Sequence, residues 1–218
     1  MNDERGRLIA SILHESKSDI IVLTEGCRSL LPSDGYTVEG SNDWGYEVSD
    51  PARRKVILWS RYPLSRPDVI GSPGLPIGRF VSGIVSISGS SIKIIGVCIP
   101  WSGAHVRTGR KDRELWQDHN TYIGHLSLII KTNSLPLVLA GDFNQRLPRQ
   151  RQPLDSYKLI DAAFQNLKIH TEGFGDPALI DHIATTREFS MTDLRTISRD
   201  HEGTRLSDHD GVIAALEL

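Results

Sequence analysis

The stretch Leu135-Pro136-Leu137-Val138-Leu139-Ala140-Gly141-Asp142-Phe143-Asn144 joins an apolar run to two polar side chains. The run has the composition of a buried strand. A carboxylate and a carboxamide, Asp142 and Asn144, follow at its carboxyl end. Because alternate residues of an extended chain point to the same side, we expect these two side chains to face one small volume. The pattern predicts a site for phosphate chemistry assisted by a hard metal ion.

Length and composition indicate an ordinary globular protein. The chain has 218 residues and 24.2 kDa, with 39% hydrophobic and 24% charged residues, and we find no repeat or Gly/Ser linker. Residues 1–218 are therefore expected to form one domain. No apolar stretch approaches a membrane span, and the polar start does not resemble a signal peptide. Cys27 and Cys98 lie in or beside apolar runs, which favours buried free thiols and a cytoplasmic protein.

The net charge of −2 excludes a protein coated with positive charge for indiscriminate nucleic-acid binding. The basic residues are nevertheless clustered in two segments. Arg107, Arg110, Lys111 and Arg113 follow one predicted strand, and Arg146, Arg149 and Arg151 follow the Asp142 strand. These segments are either solvated loops or the rim of one site that holds phosphates, and composition alone leaves both interpretations open.

Hydrophobic periodicity predicts an α/β chain with hairpins as well as crossovers. The Ser88-Gly89-Ser90 turn indicates a hairpin, so the sheets are expected to be mixed rather than purely parallel. The predicted helices cover about 3–16, 110–131 and 156–167. The main predicted strands cover about 19–23, 55–60, 79–88, 91–99, 136–141, 179–185, 193–198 and 212–218.

Acidic or imidazole groups mark four predicted strand ends. Besides Asp142, these are Glu25, the pair Asp181-His182 and the triplet Ser207-Asp208-His209. An isolated acidic residue of this kind is usually an ion pair or a strand cap. Four such strand ends in one chain are harder to explain as ion pairs or caps, because buried charges are costly unless they are paired or bind a metal. His182 must face away from Asp181 and is interpreted as a packing residue.

The order of these motifs resembles that of the endonuclease/exonuclease/phosphatase superfamily, which has the deoxyribonuclease-I-like fold. The motifs are an apolar strand ending in Glu25, then Ser-Arg-Tyr-Pro-Leu, Gly-Asp-Phe-Asn, Ile-Asp-His-Ile and Ser-Asp-His, and the resemblance covers about residues 5–218. It implies a four-layer α-β-β-α sandwich of two mixed β-sheets flanked by helices. It also implies hydrolysis of phosphodiesters or phosphomonoesters with Mg²⁺ or Mn²⁺.

The resemblance assigns roles to individual residues. Glu25 resembles the principal metal-binding glutamate and Asp208 the second carboxylate on the metal side. Asp142 resembles the aspartate that activates the attacking water, and Asn144 the asparagine that holds a phosphate oxygen. His209 resembles the histidine facing the scissile phosphate.

Asp181 resembles the aspartate that orients this histidine. Relatives usually place a tyrosine or histidine near the phosphate where this chain has Cys98. The substrate contacts are therefore expected from other residues, namely His105, Arg107, Arg113 and Arg146.

The most specific expectation is a nuclease that acts on DNA or RNA. Two alternatives stay open: a phosphatase or phosphodiesterase for a small phosphorylated molecule, and a domain that binds nucleic acid or a partner without hydrolysis. Family members also open with a strand that carries an asparagine near its end. In this sequence only one helix precedes Glu25, so either the start is misassigned or truncated, or the protein lacks this strand. A missing inner strand would leave unpaired backbone groups and a gap in one sheet.

Overall fold

The computed structural model of the chain describes residues 4–48 and 50–218. These residues form three α-helices and thirteen strands. In chain order they are α1 (Glu4–Glu15), β1 (Ile20–Cys27), β2 (Tyr36–Glu39), β3 (Arg53–Ser60), β4 (Ser65–Asp68), β5 (Phe80–Ile87), β6 (Ser90–Cys98), α2 (Gln117–Thr132), β7 (Leu137–Asp142), α3 (Leu154–Phe164), β8 (Lys168–Ile169), β9 (Asp181–Thr185), β10 (Ser190–Ile197), β11 (Asp200–His201), β12 (Thr204–Arg205) and β13 (Gly211–Glu217).

The strands form two main layers. One layer contains a sheet of order β1-β3-β2 and, separately, the pair β10-β13. The other is a six-stranded sheet of order β4-β5-β6-β7-β9-β8. In this sheet β6 and β7 run parallel while the other neighbours run antiparallel, so the prediction of mixed sheets is confirmed.

Three hydrophobic clusters hold four layers together. Between the sheets, Val56 and Leu58 of β3 pack with Val81 and Val85 of β5. On the outer face of the six-stranded sheet, side chains of α2 and α3 pack against β6 and β7. On the outer face of the smaller sheet, Leu13 of α1 packs with residues of β1 and β3. The predicted α-β-β-α sandwich is confirmed.

The first sheet has a gap between β1 and β13. Among the described residues, no strand pairs with the edge of β1 opposite β3, or with the edge of β13 opposite β10. A cavity of about 1070 Å³ lies between these two edges. Within residues 4–48 and 50–218, this is the gap that a missing inner strand would leave.

The helix predicted over about 110–131 is shorter than expected, because α2 begins only at Gln117. The backbone of Trp116 is left-handed, with φ of 68°, and its amide donates to the Ser102 carbonyl at 2.7 Å. Residues 103–116 thus fold back as a loop, and Leu115 is exposed rather than part of a helical core face.

Two further predictions can be compared with the structure. Cys27 and Cys98 are free and buried, as expected. No helix in residues 4–48 and 50–218 is both long and apolar enough to cross a membrane.

Candidate active site

Asp142 ends β7 in a position that a glycine makes possible. Gly141 has a φ of +133°, and a Cβ there would lie 2.0 Å from the Val97 carbonyl oxygen. This close approach lets β7 pair with β6 up to its last residue, where Asp142 lies opposite Cys98 on one side and Asp181 of β9 on the other. The carboxylate is consequently only 6% exposed.

Asn144 reaches Asp142 through a turn, which corrects the expectation of an extended segment. Its φ is 52°, and its backbone amide donates to Asp142 Oδ1 at 2.8 Å. Its side-chain nitrogen donates to Asp142 Oδ2 and to the Ile99 carbonyl, each at 2.8 Å. This Asx-type arrangement orients the Asp142 carboxylate. The two side chains do share one volume, but because of the turn and not because of strand alternation.

His209 completes the cluster from the segment before β13. Its Nε2 lies 3.2 Å from Asp181 Oδ2, and its Nδ1 lies 3.0 Å from Asp208 Oδ1 without hydrogen-bond geometry. The Asp208 side chain is 92% exposed. Asp181 Oδ1 is buried and has no hydrogen-bond partner. The structure therefore brings Asp142, Asp181 and His209 together, with Asp208 at the rim.

Burial and neighbouring charge shift two pKa values in this cluster. Burial raises the pKa of Asp142 to about 8, and the charge of Asp181 adds to the rise while His209 opposes it. Burial acts to lower the pKa of His209. The hydrogen bond and charge of Asp181, with the charges of Asp142 and Asp208, outweigh this effect and raise the pKa to about 9. Near neutral pH the raised pKa values thus favour an imidazolium at His209 and the protonated form of Asp142.

Glu25 lines the same cavity as Asp142 and is paired with two cations. Its Oε1 lies 2.5 Å from Lys55 Nζ, and its Oε2 lies 3.5 Å from a guanidinium nitrogen of Arg53. The Lys55 side chain is 4% exposed, and its ammonium lies 4.1 Å from the Trp44 ring centroid. Lys55 lies on the neighbouring strand β3, so sequence spacing gave no sign of this contact.

The available oxygen donors fit a partly hydrated hard cation. In residues 4–48 and 50–218, no three His, Cys, Asp or Glu side chains form a preassembled metal cage. Mg²⁺ does not need one, because it keeps several waters and is held by one or two carboxylates plus substrate oxygens. Two oxygen donors of this kind line the same cavity: the half-exposed carboxylate of Glu25 and the unpaired Oδ1 of Asp181. Lys55 would compete with an ion for Glu25.

None of the four side chains expected to contact substrate lines the main cavity. His105 is buried and accepts a hydrogen bond from the Arg110 amide, while Arg107 is exposed. Arg113 donates to Asp118 Oδ1 at 2.9 Å. Arg146 donates to the Ala178 carbonyl and lines a smaller cavity that also touches Asn144. Their role in substrate binding stays a prediction.

Two residues that were not predicted as site residues line the main cavity. Arg79 is buried and donates to the Cys98 carbonyl at 3.1 Å, and Trp101 is 41% exposed. The position of Trp101 three residues after the end of β6 was the available sequence signal. Cys98 itself packs between the sheets, and burial raises the pKa of its thiol to about 12. It is therefore unsuited to contact a phosphate.

Comparison with known proteins gives one family match. The model of the endonuclease/exonuclease/phosphatase family matches residues 2–209. No curated protein matches the chain.

Solved structures with the same fold share little sequence identity with this chain. An endonuclease/exonuclease/phosphatase from Beutenbergia cavernae is 20% identical, with a TM-score of 0.63, and the match covers 99% of this chain and 66% of that one. A humanized TDP2 from D. rerio is 14% identical, with a TM-score of 0.70 and coverage of 98% and 91%. The 3′ phosphatase NExo from Neisseria, bound to a product DNA hairpin, is 18% identical, with a TM-score of 0.69 and coverage of 98% and 95%.

Proposed function

The chain belongs to the endonuclease/exonuclease/phosphatase family, and on this premise we propose that it hydrolyses phosphodiester bonds in DNA or RNA with the help of Mg²⁺ or Mn²⁺. One observation carries the proposal. Asp142, Asp181 and His209 come from three separate segments and meet at the wall of one cavity. Buried acidic and imidazole groups in such a cleft are typical of catalytic sites.

The proposed roles follow from the contacts of each side chain. Asp142 accepts the proton of the attacking water, and its raised pKa suits a general base near neutral pH. Asn144 orients this carboxylate through its two hydrogen bonds. His209, held by Asp181 through Nε2, supplies positive charge beside the phosphate. A divalent ion held by Glu25, with Asp208 at the rim, would stabilise negative charge on the phosphoryl oxygens.

A polynucleotide substrate is favoured by the side chains at the mouth of the cavity. Trp101 is exposed there and offers a face on which a base can stack. Arg195 and Arg199 line the same cavity with exposed side chains and can contact neighbouring phosphates. The DNA-bound neighbours, a D. rerio TDP2 with single-stranded DNA product and the Neisseria 3′ phosphatase, are consistent with this choice.

A small phosphorylated molecule is the second candidate substrate. The basic residues of the two loops predicted to hold phosphates do not line the main cavity, and Arg113 and Arg146 are engaged within the protein. A mannosyl-6-phosphatase from Bacteroides thetaiotaomicron, 16% identical, has a similar fold. A substrate that fits inside the cavity would need neither loop.

Hydrolysis assays can separate these proposals. Single-stranded DNA, duplex DNA with a 3′ phosphate, RNA, sugar phosphates and bis(p-nitrophenyl) phosphate are each incubated with Mg²⁺ or Mn²⁺. We expect oligonucleotide cleavage that chelation abolishes and that His209→Ala lowers at least 100-fold. Asp155→Asn, on helix α3 and outside the lining of both cavities, is the matched control and should leave the rate unchanged. Cleavage unaffected by His209→Ala would contradict the proposed site, and faster turnover of sugar phosphates would favour the second candidate.

A further inference from the structure

A buried lysine contacts the carboxylate proposed above as the metal ligand. Lys55 of β3 lies opposite Glu25 of β1, because the residue pairs on either side of them are in antiparallel register. Its ammonium donates to Glu25 Oε1 at 2.5 Å. The contact joins a side chain that is 4% exposed to one that is 46% exposed. One oxygen of Glu25 is therefore engaged from within the protein, while the carboxylate still lines the cavity.

Two aromatic rings hold the Lys55 ammonium in place. Its Nζ lies 4.1 Å from the ring centroid of Trp44 and 5.7 Å from that of Tyr46. Trp44 is itself buried. Aromatic faces attract a cation, whereas a buried ammonium without an acidic partner is costly. In the part of the chain that the structure describes, Glu25 is the sole acidic side chain paired with Lys55. We therefore expect Lys55 to stay on Glu25 when the carboxylate takes a further cation.

The second oxygen of Glu25 is held less closely. Oε2 lies 3.5 Å from a guanidinium nitrogen of Arg53. Arg53 makes shorter contacts with the backbone carbonyl of Glu25, at 2.9 and 3.1 Å, so its position does not depend on the carboxylate. Its side chain is partly exposed, and water screens its charge. Oε2 is consequently the oxygen of Glu25 that can accept another ligand.

The number of free carboxylate oxygens affects hard cations unequally. Ca²⁺ takes about six to eight oxygen ligands and can bind a carboxylate through both of its oxygens. Mg²⁺ prefers an octahedral shell, keeps several waters and is bound through one or two carboxylates. A carboxylate with one free oxygen therefore disfavours Ca²⁺ more than Mg²⁺. A neighbouring ammonium also repels any divalent ion.

We propose that Lys55 determines the metal preference of the site. Its ammonium retains Oε1 of Glu25 and leaves Oε2 as the one oxygen of this carboxylate for a divalent ion. Binding through both carboxylate oxygens is thereby blocked, and Mg²⁺ is preferred to Ca²⁺. This role of Lys55 depends on the proposed function, in which Glu25 is the metal ligand.

Thermal melts with metal and without substrate test the proposal. The Kd values of Mg²⁺ and Ca²⁺ are obtained from the rise in Tm with metal concentration. Wild type should bind Mg²⁺ at least as tightly as Ca²⁺. Lys55→Met frees Oε1 and should lower the Kd of Ca²⁺ roughly 10-fold or more, but that of Mg²⁺ only about 3-fold. Lys55→Arg keeps a cationic donor and should retain the wild-type preference.

Two controls separate the contact with Glu25 from a general change in charge. Arg54→Met removes a positive charge from the next residue of β3, whose guanidinium pairs with Glu39 outside the cavity lining. It should leave both Kd values near those of wild type. Combining Glu25→Gln with Lys55→Met should abolish the gain in Ca²⁺ affinity, because the gain requires both carboxylate oxygens.

Three results would overturn the proposal. The first is a wild-type protein that binds Ca²⁺ more tightly than Mg²⁺, and this result is decisive even if Lys55→Met does not fold. The second is an effect of Lys55→Met that is equal for the two ions, absent, or matched by Arg54→Met. The third is a Tm that neither ion raises in any of these chains. Hydrolysis assays on wild type decide the proposed function separately, because the melts contain no substrate.

Discussion

Asp142 and Asp181 lie directly opposite each other on the antiparallel strands β7 and β9, so two carboxylates point to the same face of the sheet. Like charges at such positions repel each other. His209 offsets part of this repulsion through its contact with Asp181. The cluster is therefore held in a state that costs folding stability.

Replacing the buried carboxylate should separate activity from stability. We expect Asp142→Asn to lower hydrolysis at least 100-fold because the general base is lost. In chelator, the same variant should not lower Tm at pH 7–8. The folded-state pKa of Asp142 is raised to about 8, so its contribution to stability is present at low pH and is lost as pH rises from about 4 to 8.

Thermal melts from pH 4 to 8 check this expectation, with Asp155→Asn as the control. The difference in Tm between Asp142→Asn and wild type should increase with pH. A variant that retains wild-type activity would remove Asp142 from the proposed mechanism. A Tm that falls further below wild type as pH rises would contradict the sign of the pKa shift.

Glu25 should be the residue through which added metal stabilises the protein. A ligand at 100 times its Kd adds about 2.7 kcal/mol to the free energy of unfolding. For a chain of this size, that corresponds to a rise in Tm of about 5–10 °C. Glu25→Gln should abolish the rise produced by Mg²⁺ or Mn²⁺, because a carboxamide is a weaker ligand for a hard cation.

Glu39→Gln is a matched control for this measurement. Glu39 also forms a cross-strand ion pair, with Arg54 at 3.3 Å, but it does not line the cavity. Its variant should retain the full shift with metal. Equal shifts in wild type and Glu25→Gln would show that any bound ion lies elsewhere.

Trp101 should contribute to binding of oligonucleotides but not of small esters. Stacking of one base on an aromatic side chain is worth about 1–3 kcal/mol. Trp101→Ala should therefore raise KM for single-stranded DNA by roughly 5- to 150-fold, and kcat/KM for bis(p-nitrophenyl) phosphate should change little. Leu115→Ala, on the same loop and 58% exposed, is the control. A similar loss with both substrates would indicate that Trp101 supports the fold of the site instead.

Much of the fold could be predicted because it depends on local patterns. The apolar run before Asp142 and the helical face of α1 are periodic over their whole length, so periodicity located both elements. The predicted start of α2 was wrong because the left-handed backbone at Trp116 interrupts an apparently helical pattern. Hydrophobic periodicity does not indicate a left-handed residue.

The candidate site likewise has features that could be predicted from the sequence and features that could not. The acidic strand ends and the order of the motifs identified the residues that the structure brings together, Asp142, Asp181 and His209. The turn that orients Asn144 and the burial of Lys55 beside Glu25 were not predictable, because both depend on contacts outside the strand pattern. Long-range pairing and left-handed residues are set by tertiary structure.

A buried histidine outside the cluster should make the protein less stable in acid. His119 Nδ1 donates to the Pro100 carbonyl at 2.7 Å, and its Nε2 accepts from Gln145 Nε2 at 2.8 Å. These contacts require the neutral ring, and burial lowers its pKa to about 4. The unfolded chain therefore binds the proton more readily, and stability falls as pH decreases from about 6.5 to 4.

The contribution of His119 over this range is roughly 3 kcal/mol, from a shift of about 2.5 pKa units. His119→Gln keeps a donor for Pro100 but does not titrate. Chemical unfolding between pH 4 and 7 should show a shallower fall in the free energy of unfolding for this variant. Some slope will remain, because burial also lowers the pKa of His170 and His182. The exposed His14→Gln should match wild type, and an unchanged slope in His119→Gln would show that His119 is not held neutral.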